Sequence, residues 1–208
     1  MPTESALPEN MVDWPLDAHR TVLLVHDMQH YFLAPFDDAH EPLSTLMRNV
    51  RWLRGRCAQL GIPIVYTAQP GSMTIDQRGL LLDFWGPGMS ADPEHRGIPV
   101  PIAPAVGDAV LTKWRASAFH RTELLELMRI HDRDQLLICG VYAHVGVMLT
   151  AADAFANDLR AFVVADAIAD FTPEFHRMAV DYVAGRCGRV LNAAQVAAEF
   201  ARSETRVS

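Results

Sequence analysis

Short apolar runs alternate along the chain with longer stretches whose apolar residues recur at helical period. "TVLLVHD" (21–27) holds a continuous apolar run, the pattern of a strand covered on both faces. Residues 43–60 place Leu43, Leu46, Met47, Val50, Leu53, Cys57 and Leu60 on one helical stripe, and Gly61 follows as a helix stop. "IPIVYTAQ" (62–69) predicts a second strand, and a long Gly- and Pro-rich loop over 70–107 leads to a third, "AVLTKW" (109–114). Helical pattern over 121–131 precedes a fourth strand, "QLLICGV" (135–141). Val145, Met148, Leu149, Ala152, Phe155 and Ala156 mark another helix before a fifth strand, "AFVVADAI" (161–168). Thr172 and Pro173 read as N-cap and N1 of a helix that turns Phe175, Met178, Ala179, Tyr182 and Val183 inward. "RVLN" predicts a short sixth strand, with a last helix over 192–202.

Strands alternating with helices, the strands apolar throughout, predict a parallel sheet sandwiched between helices. In such α/β sheets ligands bind beyond the carboxyl ends of the strands. Asp27 ends the first strand, Gln69 the second and Lys113 the third, while Tyr142 to Gly146 follow the fourth. An acid, an amide, an amine and a Gly-bearing turn thus meet on one rim. Asp27 also reads as a strand-end cap, and Lys113 as a snorkelling surface lysine or half of a structural ion pair.

Composition narrows the class. The 208 residues, half of them hydrophobic, suit one domain that buries roughly 70% of its unfolded surface. Residues 1–18 read as a Pro-bearing arm and 19–208 as the domain. A formal charge of −7 with no long basic run argues against nucleic acid as a partner. No apolar run of spanning length argues against membrane insertion, and the N-terminus lacks the marks of a secretory leader. Cys57, Cys139 and Cys187 form neither a disulfide framework nor a CxxC metal site, so a cytoplasmic location is expected.

The loop 69–88, "QPGSMTIDQRGLLLDFWGPG", is long for a connector and so a candidate functional loop. Its Arg78 suits a substrate carboxylate, or else a solvated surface charge; Trp85 suits a pocket wall, or loop packing. "GVYAHVG" (140–146) runs from strand end to helix, where backbone N–H groups would face an anion, unless the glycines only serve a tight turn. His26 and His144 are lone imidazoles that fit packing or hydrogen-bonding roles better than metal ligation, and His120, His131 and His176 read as surface residues.

"VLLVHDMQHYF", "YTAQPGSMTIDQRGLLLDFWGPG", "LTKWRASAF", "CGVYAHVGVMLTAADAF" and "VADAIADF" together resemble the isochorismatase family, over about residues 20 to 190. The resemblance implies an α/β fold of three layers, α/β/α, with a six-stranded parallel sheet. It also implies a homodimer, a small-molecule substrate, and no metal or other cofactor. It makes Asp27 the catalytic acid and Lys113 the essential lysine. Gln69 and Arg78 match residues that hold substrate polar groups, and Tyr31, Trp85, Tyr142 and Gly146 match the pocket. A non-proline cis peptide is implied near Val141–Tyr142. The superfamily's amidases carry a nucleophilic cysteine early in the helix after the fourth strand, where this chain has Gly146 and Val147. The acid–x–histidine of zinc-binding nicotinamidases is also missing after the second strand. With Ser208 as the last residue, no aryl carrier domain of the kind siderophore enzymes often have is expected, and "QPGSMT" and "GPGM" resemble the phenazine branch. The expectation is hydrolysis of 2-amino-2-deoxyisochorismate to pyruvate and trans-2,3-dihydro-3-hydroxyanthranilate, by an acid without a covalent intermediate. The alternative is isochorismate itself, giving 2,3-dihydro-2,3-dihydroxybenzoate and pyruvate for a siderophore.

Overall fold

In the computed structural model, which describes residues 7–36 and 40–205, the apolar run after Arg20 forms strand β1 (Thr21–His26). It is followed by α1 (His30–Leu33), α2 (Leu43–Gln59), β2 (Ile64–Ala68), α3 (Ile75–Arg78), α4 (Leu81–Trp85), α5 (Pro93–Arg96) and β3 (Ala109–Thr112). The second half holds α6 (Leu124–Ile130), β4 (Gln135–Val141), α7 (Met148–Ala156), β5 (Arg160–Ala169), α8 (Pro173–Arg186), β6 (Gly188–Leu191) and α9 (Ala193–Thr205). The first six residues of the expected arm, and the end at Ser208, lie outside the described residues.

Six strands pair in the order β3-β2-β1-β4-β5-β6, all parallel. Because successive side chains of a strand point to opposite faces, β1 feeds two cores. Leu23 and Val25 join Leu46, Val50 and Leu53 of α2 and Phe200 of α9 on one side. Val22 and Leu24 join Met128 of α6, Ala151 of α7 and Val183 of α8 on the other. Every residue of β1 and β4 is therefore buried. The chain runs outward from β1 to β3 on one side and from β4 to β6 on the other, so the order reverses between β1 and β4. Their carboxyl ends open the crevice in which such sheets bind ligands.

Local chemistry sets the boundaries. Gly61 adopts φ 65° after α2, and the Ile62 N–H closes on the Cys57 carbonyl at 2.9 Å. The stretch after β2, expected as plain loop, contains three short helices, and a reciprocal capping box between Thr74 and Gln77 opens the first of them. The Ser72 N–H donates to the Met89 carbonyl at 2.8 Å and ties the start of this stretch to its far end. Thr172 caps α8 as expected, accepting from the Phe175 N–H.

The inward face of α8 differs from the expectation. Ala179, Val180, Val183 and Ala184 are buried, whereas Phe175, Met178 and Tyr182 stay 41–46% exposed. The small residues let the helix lie close to the sheet, and the bulkier stripe is left facing outward. His176 also departs from its surface reading: it is half-buried, with Nε2 2.9 Å from the Ala165 carbonyl. The described part of the arm lies along the sheet. Asn10 bonds both ways with the Val190 main chain, and Leu16 is buried.

Candidate active site

The site is built where β1, β2, β3 and β4 end. Asp27 follows β1 in a left-handed conformation, φ 50°, which costs a non-glycine residue about 1–2 kcal/mol. Thr67 of β2 holds it there: the hydroxyl accepts from the Asp27 N–H at 3.1 Å and donates to Oδ1 at 2.6 Å. Lys113, one residue past β3, reaches across the end of β2 to place Nζ 2.7 Å from Asp27 Oδ2. Two strand spacings are about 10 Å, so only a long, flexible cationic stem bridges them. The two side chains are 3% and 6% exposed, which removes the surface-lysine reading.

Burial pushes the Asp27 carboxyl up, but Lys113, with smaller pulls from His26 and Thr67, outweighs it and holds the group below the usual carboxylate range. Asp27 is therefore ionised in the empty site at neutral pH. Sequence could name both influences but not rank them; the 2.7 Å contact ranks them.

Above the pair lies a cavity of about 630 Å³, lined by Asp27, Lys113, Gln69, Arg78, Tyr31, Trp85, Tyr142 and Gly146 among others. All eight residues singled out from the sequence meet there. The volume suits a small organic molecule. Arg78 is buried under its loop, donating through Nε to the Gly86 carbonyl at 2.8 Å, through Nη2 to the Trp85 carbonyl and through Nη1 to Gln69 Oε1, both at 3.3 Å. Among the described residues these bonds use three of its five N–H donors, leaving two for a ligand. Gly88, at φ 77°, leaves the guanidinium its space, since a Cβ there would stand 2.9 Å from Cζ.

Tyr142 donates its hydroxyl to the Phe32 carbonyl at 2.8 Å and sets its ring 4.1 Å from that of Phe171. Phe171 in turn stacks with Trp85 at 6.4 Å, so an aromatic row crosses the cavity mouth. The Val141–Tyr142 peptide is cis. The backbone donors expected to face an anion after β4 are engaged instead. Val145, Gly146 and Val147 all donate to the Tyr142 carbonyl in a π-type turn, and His144 donates to Asp170. His144 has the hydrogen-bonded role expected of it, with Nδ1 2.7 Å from Asp170 and its ring stacked on Phe175.

Three contributors were not singled out from the sequence. Gln29, buried two residues after Asp27, accepts from the Gln69 N–H and donates to the Gln69 and Arg96 carbonyls, which anchors the functional loop to the sheet. Phe171, two residues past the end of β5, and His95 of α5 also line the cavity. Among the described residues no group of three or more His, Cys, Asp or Glu is placed to hold a metal. Cys139 is fully buried within β4, and burial raises its thiol far above the usual value.

A parallel sheet with a buried carboxylate–lysine pair at its switch point, under an aromatic-walled cleft, is the arrangement of an α/β enzyme. Residues 21–195 match the isochorismatase domain model, and the chain belongs to the isochorismatase family of hydrolases. It is 54% identical over 187 residues to an isochorismatase of Bacillus subtilis, covering 90% of this chain and 60% of that longer one. It is 52% identical over 196 residues to the phenazine biosynthesis protein PhzD1 of Pseudomonas aeruginosa, covering 94% of each. Among solved structures, a cysteine hydrolase from Pseudomonas syringae superposes with a TM-score of 0.83 at 20% identity, over 94% of this chain and 98% of that one. At that identity the likeness speaks to the fold alone.

Proposed function

We propose that the protein hydrolyses the enolpyruvyl ether of 2-amino-2-deoxyisochorismate, releasing pyruvate and trans-2,3-dihydro-3-hydroxyanthranilate in phenazine-type biosynthesis. The observation that carries the reading is the buried Asp27–Lys113 pair at the cavity floor, in a site where the amidases' cysteine position is Gly146. An acid is mounted there and a thiol is not. A vinyl ether needs an acid: protonation of its terminal methylene gives an oxocarbenium ion, water adds, and the hemiketal collapses.

Asp27 supplies that proton. Without substrate Asp27 is a carboxylate, and Lys113 donates to it across a 2.7 Å hydrogen bond. A substrate that displaces water from the cavity strengthens the burial effect on Asp27, which favours its protonated form. Arg78 and Gln69 hold substrate polar groups, and Tyr31, Trp85 and Tyr142 cover the ring. A second reading takes isochorismate as substrate, favoured by the 54% identity to the Bacillus isochorismatase.

Pyruvate release from each enol ether, coupled to lactate dehydrogenase, separates the two readings by kcat/KM. Ammonia release from small amides in place of pyruvate would overturn both. The proposed setting is a homodimer in the cytoplasm. The three buried free cysteines fit a reducing compartment, and the outward Leu149, Phe155, Met178 and Tyr182 of α7 and α8 offer an apolar face for a second copy. Sedimentation velocity tests the dimer. Among the described residues no helix is long and apolar enough to cross a membrane.

A further inference from the structure

The cavity holds a second guanidinium, Arg115, with no assigned part in the reaction. Histidines aside, its charged side chains are one acid and three bases: Asp27, Lys113, Arg78 and Arg115. Asp27 and Lys113 neutralise each other across their 2.7 Å contact. Among the described residues neither guanidinium has a carboxylate partner, and their hydrogen bonds go to carbonyl and amide oxygens. In a chain of formal charge −7, the walls of this cleft thus keep two unneutralised cations. Arg115 comes two residues after Lys113, on the chain leaving β3, and is half-buried. Its Nη1 donates to the Gln77 carbonyl at 2.7 Å and to the Trp114 carbonyl at 2.6 Å. Those bonds use both Nη1 hydrogens. Nε–H and the Nη2 hydrogens remain, and Nε with Nη2 is a parallel pair that can meet both oxygens of a carboxylate. Gly79, at φ 52°, leaves this guanidinium its space as Gly88 does for Arg78: a Cβ there would stand 2.8 Å from Nη2. The Gln77 contact sets Arg115 beside the residue that precedes Arg78, so two like charges are held near each other. Burial, helped by Arg115 and opposed by Tyr31, lowers the Arg78 guanidinium from its ordinary value. Repulsion of this kind is relieved by a ligand that brings two negative charges.

We propose that Arg115 is a further substrate-binding residue, which takes one of the substrate's two carboxylates while Arg78 takes the other. The inference rests on the enol-ether reading above and deepens it: the ring and the enolpyruvyl group of that substrate each carry a carboxylate. A dicarboxylate satisfies the free edges of both guanidiniums, whereas a monocarboxylate leaves one cation unmatched. The site thereby favours the intact ether over its products. Cleavage separates the two carboxylates, so pyruvate and the ring acid each keep only one anchor and leave more readily than the substrate.

The test is Arg115→Met, measured by calorimetry with an unreactive dicarboxylate, the lactyl ether of meta-hydroxybenzoate, and with its two monoamides, one at each carboxyl. The wild type should bind the dicarboxylate about 10- to 100-fold more tightly than either monoamide, the worth of one charge-assisted contact. Arg115→Met should weaken the dicarboxylate by a similar factor. It should weaken one monoamide as much and leave the other nearly unchanged, because the latter lacks the carboxylate that Arg115 meets. KM for the enol ether should rise in step, with a smaller change in kcat. Arg115→Lys, which keeps the charge and gives up the fork, should lose less, so the test survives poor folding of Arg115→Met. Equal weakening of all three ligands would make Arg115 a tie between α3 and β3 and overturn the proposal. An unchanged affinity for the dicarboxylate would overturn it too, as would a wild type that binds the dicarboxylate no better than the monoamides. Binding of the unreactive ether needs no turnover. If the wild type releases no pyruvate from either enol ether, the functional reading fails, and the calorimetry still decides for or against Arg115.

Discussion

Replacing Lys113 by Met keeps the buried stem and deletes the charge opposite Asp27. Both side chains are nearly inaccessible and 2.7 Å apart, so the variant leaves a carboxylate buried with the Thr67 hydroxyl as its remaining side-chain donor among the described residues. Breaking one side of a buried pair typically costs 3–5 kcal/mol, against about 0–1 for a pair in solvent. For a chain of this size about 1 kcal/mol moves Tm by 2–4 °C, so a fall of roughly 6–20 °C is expected at pH 7. The loss should shrink in acid. Without Lys113, burial is the leading influence and raises the folded Asp27 carboxyl above its unfolded value. The penalty is then greatest above that raised value and relaxes as pH falls through it and the folded state takes up a proton. The wild type behaves oppositely. Its depressed carboxyl contributes stability above the unfolded value of about 3.9 and loses it as pH falls through the folded one. Adding Asp27→Asn to Lys113→Met should recover most of the loss, because no charge remains buried. Urea unfolding of the two singles and the double at pH 5 and pH 7 measures this. A Lys113→Met cost below about 1 kcal/mol, or a double variant as unstable as the sum of the singles, would refute the buried-pair argument.

Three further outcomes are expected. Asp27→Ala should lose at least about 100-fold in turnover while still binding substrate, read by the coupled pyruvate assay and by calorimetry; near-normal turnover would remove Asp27 as the acid. Arg78→Lys exchanges a fork of donors for a single ammonium, so KM should rise about 10-fold or more with a smaller change in kcat, and an unchanged KM would place the substrate carboxylate elsewhere. His26 falls from 6.5 to about 4 on folding, which is worth about 3 kcal/mol. Because the fold prefers the neutral ring, that stability is fully present above pH 6.5 and is lost as pH falls toward 4. Urea midpoints between pH 7 and pH 4.5 should therefore decline more steeply in the wild type than in His26→Asn, and parallel curves would count against the buried neutral imidazole.

Much of the site was legible because a parallel sheet converts linear position into spatial convergence. Asp27, Gln69 and Lys113 each end an apolar run, and strand ends of one sheet share one rim. Arg78 and Trp85 were legible as a guanidinium and an indole in an overlong loop. Phe171 and Gln29 were not, because their parts depend on which loops fold over the rim. Gly146 was legible as a pocket position and as the amidases' missing cysteine; that a side chain there would collide with His26 is a fact of close approach between β1 and the turn after β4. The outward stripe of α8 misled the periodicity reading because apolar period reports faces suited to burial, not which of two faces meets the sheet.

The sequence by itself determined the layered architecture, since alternating apolar runs and helical stripes admit few other ways to bury their surfaces, and it determined which chemical groups stand at the strand ends. Only the tertiary structure decided the charge state of Asp27, the neutral state of His26 and the number of donors Arg78 leaves free. Those properties depend on distances of a few ångströms and on how much water is excluded, and no residue order encodes them until the strands are placed side by side.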